Sequence, residues 1–230
     1  MARRPPRTKL VILSIDIGGS HVKILPSTGG EERKAESGPA MTAAGMVETV
    51  LALAQGWHFD AVAMGYPGPV IHDRILAEPH NLAPGWVGMD FAEAFGKPVR
   101  VVNDALMQAI GSYDGGRMLF LGLGTGLGAA MIVNNVAQPM ELAHLPYRKG
   151  RSYENYLGEA SLEKRGHAKW QRHVFKAVGL LTAALEPDYV VIGGGNVRAL
   201  TELPPNCRRG DNANAFKGGF ALYLNTALQV

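Results

Sequence analysis

The residues with the most chemical content are glycine turns that follow apolar runs. In LSIDIGGSHVK (13–23) such a run carries Asp16, turns at Gly18, Gly19 and Ser20, and leaves again as HVKIL. Glycines let the backbone turn sharply and bring its N–H groups against an anion. Ser20 adds a hydroxyl donor. Asp16 does not bind phosphate itself, but is placed to hold Mg2+ through water, as carboxylates do in phosphoryl-transfer sites. Lys23 either supplies positive charge there or is a solvated strand residue, and both readings fit the local pattern. A second turn, GLGTGLG (122–128), offers Gly124, Gly126 and the hydroxyl of Thr125, and a third cluster occupies Gly193, Gly194 and Gly195. Three such turns, one with an acidic residue, point to a bound nucleotide or another phosphate.

Two other phosphate sites are excluded. GTGLGA (124–129) satisfies the loose dinucleotide pattern, but that pattern needs a helix directly after the turn, and AAMIV (129–133) reads as a strand. No Walker-type loop running from glycine to lysine occurs.

Acid–base candidates lie between the turns. VRVVNDALMQAI (99–110) reads as a buried strand, then Asn103 and Asp104, then the start of a helix. At that junction Asp104 is either an N-cap or a carboxylate that takes the proton of an attacking hydroxyl. Local sequence does not separate the two. PMELAHLPYRKGRSYENYLG (139–158) carries Glu141, His144 and Glu154. On a helical turn Glu141 and His144 share a face. No further histidine or cysteine stands at metal-ligand spacing, and the group suits either sugar hydroxyls or a solvated polar loop.

The elements that must position these residues fall into two similar halves. Strands are expected at 10–17 and 21–25 around the first turn, and at 118–123 and 129–133 around the second. FDAVAMGYPG (59–68) and PDYVVIGGGN (187–196) each place an aspartate before a buried strand that ends in glycines, and helices are expected before them at 42–55 and 168–185. The repeated order suggests duplication. It predicts an α/β fold of two lobes with mixed sheets and a ligand cleft between them. The first lobe, 1–108, holds the first turn and Asp104, behind a disordered basic tail at 1–8. The second lobe, 109–230, holds the other turns, and a last helix at about 219–230 crosses back to the first.

Composition is that of an ordinary globular chain of 230 residues, 47% apolar. The net charge of +3 is partly the tail MARRPPRTK, so it gives little support to nucleic-acid binding. The apolar run after the tail is too short for a signal peptide and is interrupted by Asp16, and no stretch is long enough to span a bilayer. A single cysteine, Cys207, excludes an internal disulfide and a cysteine-built zinc cluster. Together these features indicate a cytoplasmic protein.

DIGGS, NDA, GLGTGLG, ELAH and VIGGG, in this order over about residues 11 to 196, resemble the ROK family of sugar kinases and regulators. The resemblance is greatest to its polyphosphate-dependent glucokinase branch, where a proline shortly precedes the Glu-Leu-x-His segment. It implies an actin-like, ribonuclease-H-like two-lobe fold with the active site in the cleft. It also implies phosphoryl transfer from ATP or polyphosphate, with Mg2+, to the 6-hydroxyl of a hexose, glucose above all. Carried over by position, Asp16, Gly18, Gly19 and Ser20 match the first phosphate motif, and Gly124, Thr125 and Gly126 the second. Asn103 and Asp104 match the sugar-binding and catalytic pair. Glu141, His144 and Glu154 match sugar ligands, and Gly193 to Gly195 the turn beside the adenosine site. In PHNLAPGW (79–86), Asn81 is a further sugar contact and Trp86 a core residue.

The chain departs from the family pattern in four places. The region between the second turn and Glu141 is shorter than usual. The cysteine cluster after the histidine is missing, so no structural zinc is expected. ELAH has alanine where glycine is usual. PPNCRRGDNANAFKGGF (204–220) replaces a longer helical region on the adenosine side. The family often forms homodimers. The alternative is a sugar- or nucleotide-binding regulator without kinase activity, but family repressors carry an N-terminal DNA-binding helix pair, and a first strand near residue 10 leaves no room for one. A polyphosphate chain would need a basic track, for which Arg148, Lys149 and Arg151, or Arg208 and Arg209, are candidates unless they are solvated loops.

Overall fold

The computed structural model describes residues 10–230, and the tail expected at 1–8 lies outside the described residues. The first apolar run forms β1 (Ile12–Ile17), and the returning strand β2 (His21–Pro26) is closed onto it by the Gly18 N–H, which donates to the His21 carbonyl at 2.9 Å. Short β3 (Arg33–Glu36) completes an antiparallel edge. Helix α1 (Ala43–Leu53) starts where the Thr42 hydroxyl accepts from the Gly45 N–H at 3.1 Å, an N-cap that satisfies an otherwise unpaired donor. Next come the buried strand β4 (Ala61–Tyr66), the hairpin β5 (Val70–Ile71) and β6 (Arg74–Ile75), helix α2 (Phe91–Phe95) and strand β7 (Val99–Asn103). Trp86 is fully buried, with its indole N–H donating to the Ala83 carbonyl at 2.8 Å.

Helix α3 (Asp104–Ser112) leads into the second half, β8 (Arg117–Leu123), β9 (Leu127–Val133) and β10 (Val136–Met140). A 3-10 turn (Leu142–His144), the hairpin β11 (Pro146–Arg148) and β12 (Arg151–Ser152), and helices α4 (Glu154–Leu157), α5 (Glu159–Arg165) and α6 (His167–Leu185) follow. Strand β13 (Tyr189–Gly193), a 3-10 turn (Gly195–Ala199), β14 (Cys207–Arg209) and helix α7 (Asn214–Leu224) end the chain.

The two halves have the same sheet. Strand order is β3-β2-β1-β4-β7 in one and β10-β9-β8-β13-β14 in the other. In each, the first two pairings are antiparallel and the last two parallel. A strand does follow the second glycine turn, which removes the dinucleotide reading. Apolar side chains of α1 and α2 cover one face of the first sheet, and those of α6 cover the outer face of the second. Between the sheets, α3 and α7 pack with Ile12, Ala63, Met118 and Phe120.

The last helix begins five residues before the expected Gly219 and ends at Leu224. Gly218 and Gly219 sit inside α7 because its backbone presses on α3 at Gly218 and on Ser14 of β1 at Gly219. A Cβ added to Gly218 would lie 1.8 Å from the Met107 carbonyl oxygen, and one added to Gly111 1.8 Å from that of Asn214. Beyond the helix, the chain runs beside β10, where the Ala137 N–H donates to the Gln229 carbonyl at 2.8 Å. Tyr223 reaches the other way, its hydroxyl donating to the Val62 carbonyl of β4 at 3.0 Å.

Candidate active site

The glycine turns of both sheets open on one cleft of about 780 Å³. Asp16, Gly18, Gly19, Ser20 and Lys23 line it from the first sheet, and Gly124, Thr125, Gly194 and Gly195 from the second. Asp16 and Lys23 are direct cross-strand partners on β1 and β2, which puts both side chains on one face. Burial raises the Asp16 pKa above its ordinary value, the Lys23 charge draws it back, and Glu32 adds to the rise.

The second and third turns are tied together. The Asn196 amide donates to the Gly124 carbonyl at 3.1 Å, and the Gly124 N–H to the Gly126 carbonyl at 3.1 Å. Gly194 has φ +81, and a Cβ there would lie 2.3 Å from the Leu123 carbonyl oxygen, so only glycine fits. Gly193 is different. It is the buried end of β13, packed on the Phe120 ring, and is not among the cleft-lining residues.

Asp104 stands at the first position of α3. Of its two readings, the N-cap one is corrected by one residue. Asn103 is the N-cap, its Oδ1 accepting from the Leu106 N–H at 3.1 Å while its amide donates to the Gly68 carbonyl at 3.2 Å. Asp104 is therefore not consumed as the cap. Its half-buried carboxylate accepts from the Ala105 N–H at 2.7 Å. Burial and the Asp16 charge push it up to about 7, the backbone N–H groups of Ala105 and Asp104 pull it down, and Glu141 adds a smaller rise.

Glu141 precedes the 3-10 turn that ends on His144, and the two side chains meet at 3.6 Å while both remain exposed (62% and 75%). Glu154, the first residue of α4, turns its carboxylate onto the second glycine turn, where a Cβ on Gly126 would lie 2.3 Å from Oε2. Asn81 lies over the first turn, with its own Cβ 3.3 Å from where a Gly19 Cβ would be. None of Asp104, Glu141, His144, Glu154 and Asn81 lines the cleft itself. Glu154 and Asn81 adjoin its glycine turns, Asp104 feels the charge of Asp16 and Glu141, and His144 is joined to them through Glu141.

Several lining residues had no signal in the sequence reading. Glu159, Arg198, Asp211 and Asn212 complete the far wall. Asp211 and Asn212 come from GDNAN, a cluster of turn-forming residues whose Asp211 carboxylate accepts from the Ala213 N–H at 2.9 Å. Of the two basic clusters, Arg208 and Arg209 serve packing. Arg208 stacks 4.4 Å over Tyr189 and pairs with Asp114 at 3.2 Å, and Arg209 donates to the Val197 and Leu200 carbonyls. No group of three or more metal-ligating side chains occurs among the described residues, and no helix there is long and apolar enough to cross a membrane.

Two duplicated sheets facing one cleft across α3 and α7 define an actin-like, ribonuclease-H-like protein. The inorganic polyphosphate/ATP-glucomannokinase of Arthrobacter sp. strain KM shares this fold with a TM-score of 0.78 and 21% identity, over 92% of this chain and 97% of that one. A ROK family glucokinase from Streptomyces griseus, solved with glucose and AMPPNP, superposes with a TM-score of 0.72 at 17% identity, over 92% and 98%. Residues 12–139, more than half of the chain, match the ROK family, and the chain belongs to it. The polyphosphate glucokinase of Mycobacterium tuberculosis is 27% identical over 213 residues, covering 83% of this chain and 80% of the relative.

Proposed function

We propose that the chain is a sugar kinase of glucokinase type, moving a phosphoryl group from ATP or inorganic polyphosphate to the 6-hydroxyl of glucose. The observation that carries this reading is Asp104, a half-buried carboxylate beside the cleft whose pKa stands at about 7. A base works best when its pKa lies near the working pH. The polyphosphate glucokinase relative supports the choice of acceptor, and the names of that relative and of the glucomannokinase supply the two donors.

In this reading, the N–H of Gly19 and the hydroxyls of Ser20 and Thr125 hold the donor phosphates, and Lys23 offsets their charge. The N–H groups of Gly18 and Gly124 close the turns on the His21 and Gly126 carbonyls instead. Gly194 and Gly195 border the far end of the donor. Glu141, His144 and Glu154 orient the sugar hydroxyls, with Asn81 at the edge. Asn103 acts through its cap, which fixes the start of α3 and hence Asp104. The 6-hydroxyl gives its proton to Asp104 as its oxygen bonds to the terminal phosphorus. The bond from phosphorus to the bridging oxygen breaks, and the shortened donor leaves with that electron pair. Holding the two reactants in line supplies most of the rate.

Two neighbouring carboxylates with raised pKa suit one Mg2+ ion, which takes its remaining ligands from water and phosphates rather than from a protein cage. Asp16 would hold it, and the ion would neutralise charge on the transferring phosphate. A coupled assay of glucose and other hexoses against ATP and polyphosphate tests the proposal. Glucose 6-phosphate is the expected product, and failure of every hexose to increase consumption of either donor removes the kinase reading.

A further inference from the structure

The charge of this chain is unevenly placed. Residues 145–180 hold eight lysines and arginines against three glutamates, although the net charge of the whole chain is only +3. On α6, Lys169, Arg172 and Lys176 recur at spacings of three and four, form one face of the helix, and are exposed. The β11–β12 hairpin is pinned to that face by the Tyr147 hydroxyl, 3.1 Å from His173 Nδ1, which brings Arg148 beside it. Arg165, at the end of α5, lies 4.3 Å over the Tyr156 ring, and Tyr156 meets the His173 ring edge-on at 4.7 Å. Burial first, then the charges of Arg165, Arg148, Arg172 and Lys176, hold the His173 pKa below its ordinary value. None of the eight cations enters an ion pair among the described residues. Such crowding is self-repulsive, and an anion that spans several of the cations offsets it.

The elements that carry the patch touch those that line the cleft at two points. Gln171 Oε1 accepts from the Thr201 N–H at 2.9 Å, so the first turns of α6 abut the segment whose Arg198 lines the cleft. Glu159 lines the cleft at the start of α5, and its N–H donates to the Gly124 carbonyl at 3.0 Å. Lys164 and Arg165 stand at the other end of that helix, about 9 Å away at 1.5 Å per residue.

We propose that the α6 face, with Arg148 and Arg165 beside it, is a docking track for the distal phosphates of a linear inorganic polyphosphate whose terminal phosphate occupies the cleft. The proposal rests on the kinase reading for the cleft end of that chain. A polyphosphate fits better than a nucleic acid because the aromatic rings here are spent on one another. Tyr147 packs on Tyr153 and Tyr156 at 4.9 and 5.0 Å, and Trp170 is fully buried, so that no phenylalanine, tyrosine or tryptophan of this patch is exposed for stacking bases among the described residues.

The test is binding of fluorescently labelled long-chain polyphosphate to the full chain and to the variant Lys169→Gln/Arg172→Gln/Lys176→Gln, over a range of salt. The variant should bind about tenfold or more weakly, with a slope of log affinity against log salt lowered by about 2, as three lost contacts to a single-stranded polyanion require. Its KM values for glucose, ATP and tripolyphosphate, donors too short to reach α6, should be unchanged. Unaltered long-chain affinity overturns the track, and so does single-stranded RNA of equal charge binding more tightly than polyphosphate. If no donor supports sugar phosphorylation while the variant still loses long-chain binding, the kinase reading falls and the anion track stands.

Discussion

Replacing Asp104 with asparagine separates catalysis from folding within one variant. The carboxyl is pushed from its ordinary 3.8 to about 7 by burial, the Asp16 charge and, to a smaller extent, Glu141. Between about pH 4 and pH 7 the folded chain therefore holds a proton that the unfolded chain has released, and stability from this group falls as pH rises through that window. Above pH 7 the whole cost is present. A displacement of about three pH units caps it at ~4 kcal/mol. Asp104 is only half-buried, so solvent screening lowers the expected cost to ~2 kcal/mol. Asparagine keeps an oxygen for the Ala105 N–H and carries no charge. At pH 8, without metal, the variant should melt about 4–8 °C above the wild type, and at pH 4 the two should melt together. Turnover should fall by about 10²–10⁴-fold, the usual contribution of a general base. Coincident melting at pH 8, or near-normal turnover, refutes the reasoning.

Three other expectations follow from single contacts. Glu141→Gln removes a charge that raises Asp104, so the acid limb of kcat/KM for glucose should move to lower pH, measured as a pH–rate profile. Gly194→Ala forces a side chain onto φ +81 and against the Leu123 carbonyl, and should cost about 1–3 kcal/mol in urea unfolding. Ser14→Ala deletes a buried hydroxyl that has no hydrogen-bond partner among the described residues, and should raise stability by up to about 1 kcal/mol in the same measurement.

Much of the fold was readable because its signals are local. β-Branched runs broken by glycines give the two hairpins, and the repeated phrase of aspartate, apolar strand and glycines marks β4 and β13. What stayed hidden depends on neighbours distant in sequence. Gly218 and Gly219 argue against a helix until α3 lies against the first and β1 against the second. Asn103 rather than Asp104 caps α3, a one-residue choice that both side chains could make. Arg209 looked like a phosphate ligand by charge, yet it is spent on two carbonyls. Asn196, Arg198 and Glu159 stand in stretches with no period of their own, and only the folding of two sheets toward one cleft gives them a shared address.

The contact of α3 with α7 through Gly111 and Gly218 bears on how a mutational scan of this chain would be read. Backbone touches backbone there, and no side chain can give way. Scored by sugar phosphorylation alone, both glycines would appear as intolerant as Asp104, and a map of intolerance would draw the catalytic site too large. The melting temperature of each variant sorts the two kinds of position. On the proposed mechanism, loss of the Asp104 carboxylate should lower activity and raise stability, whereas a side chain in the seam should lower both together.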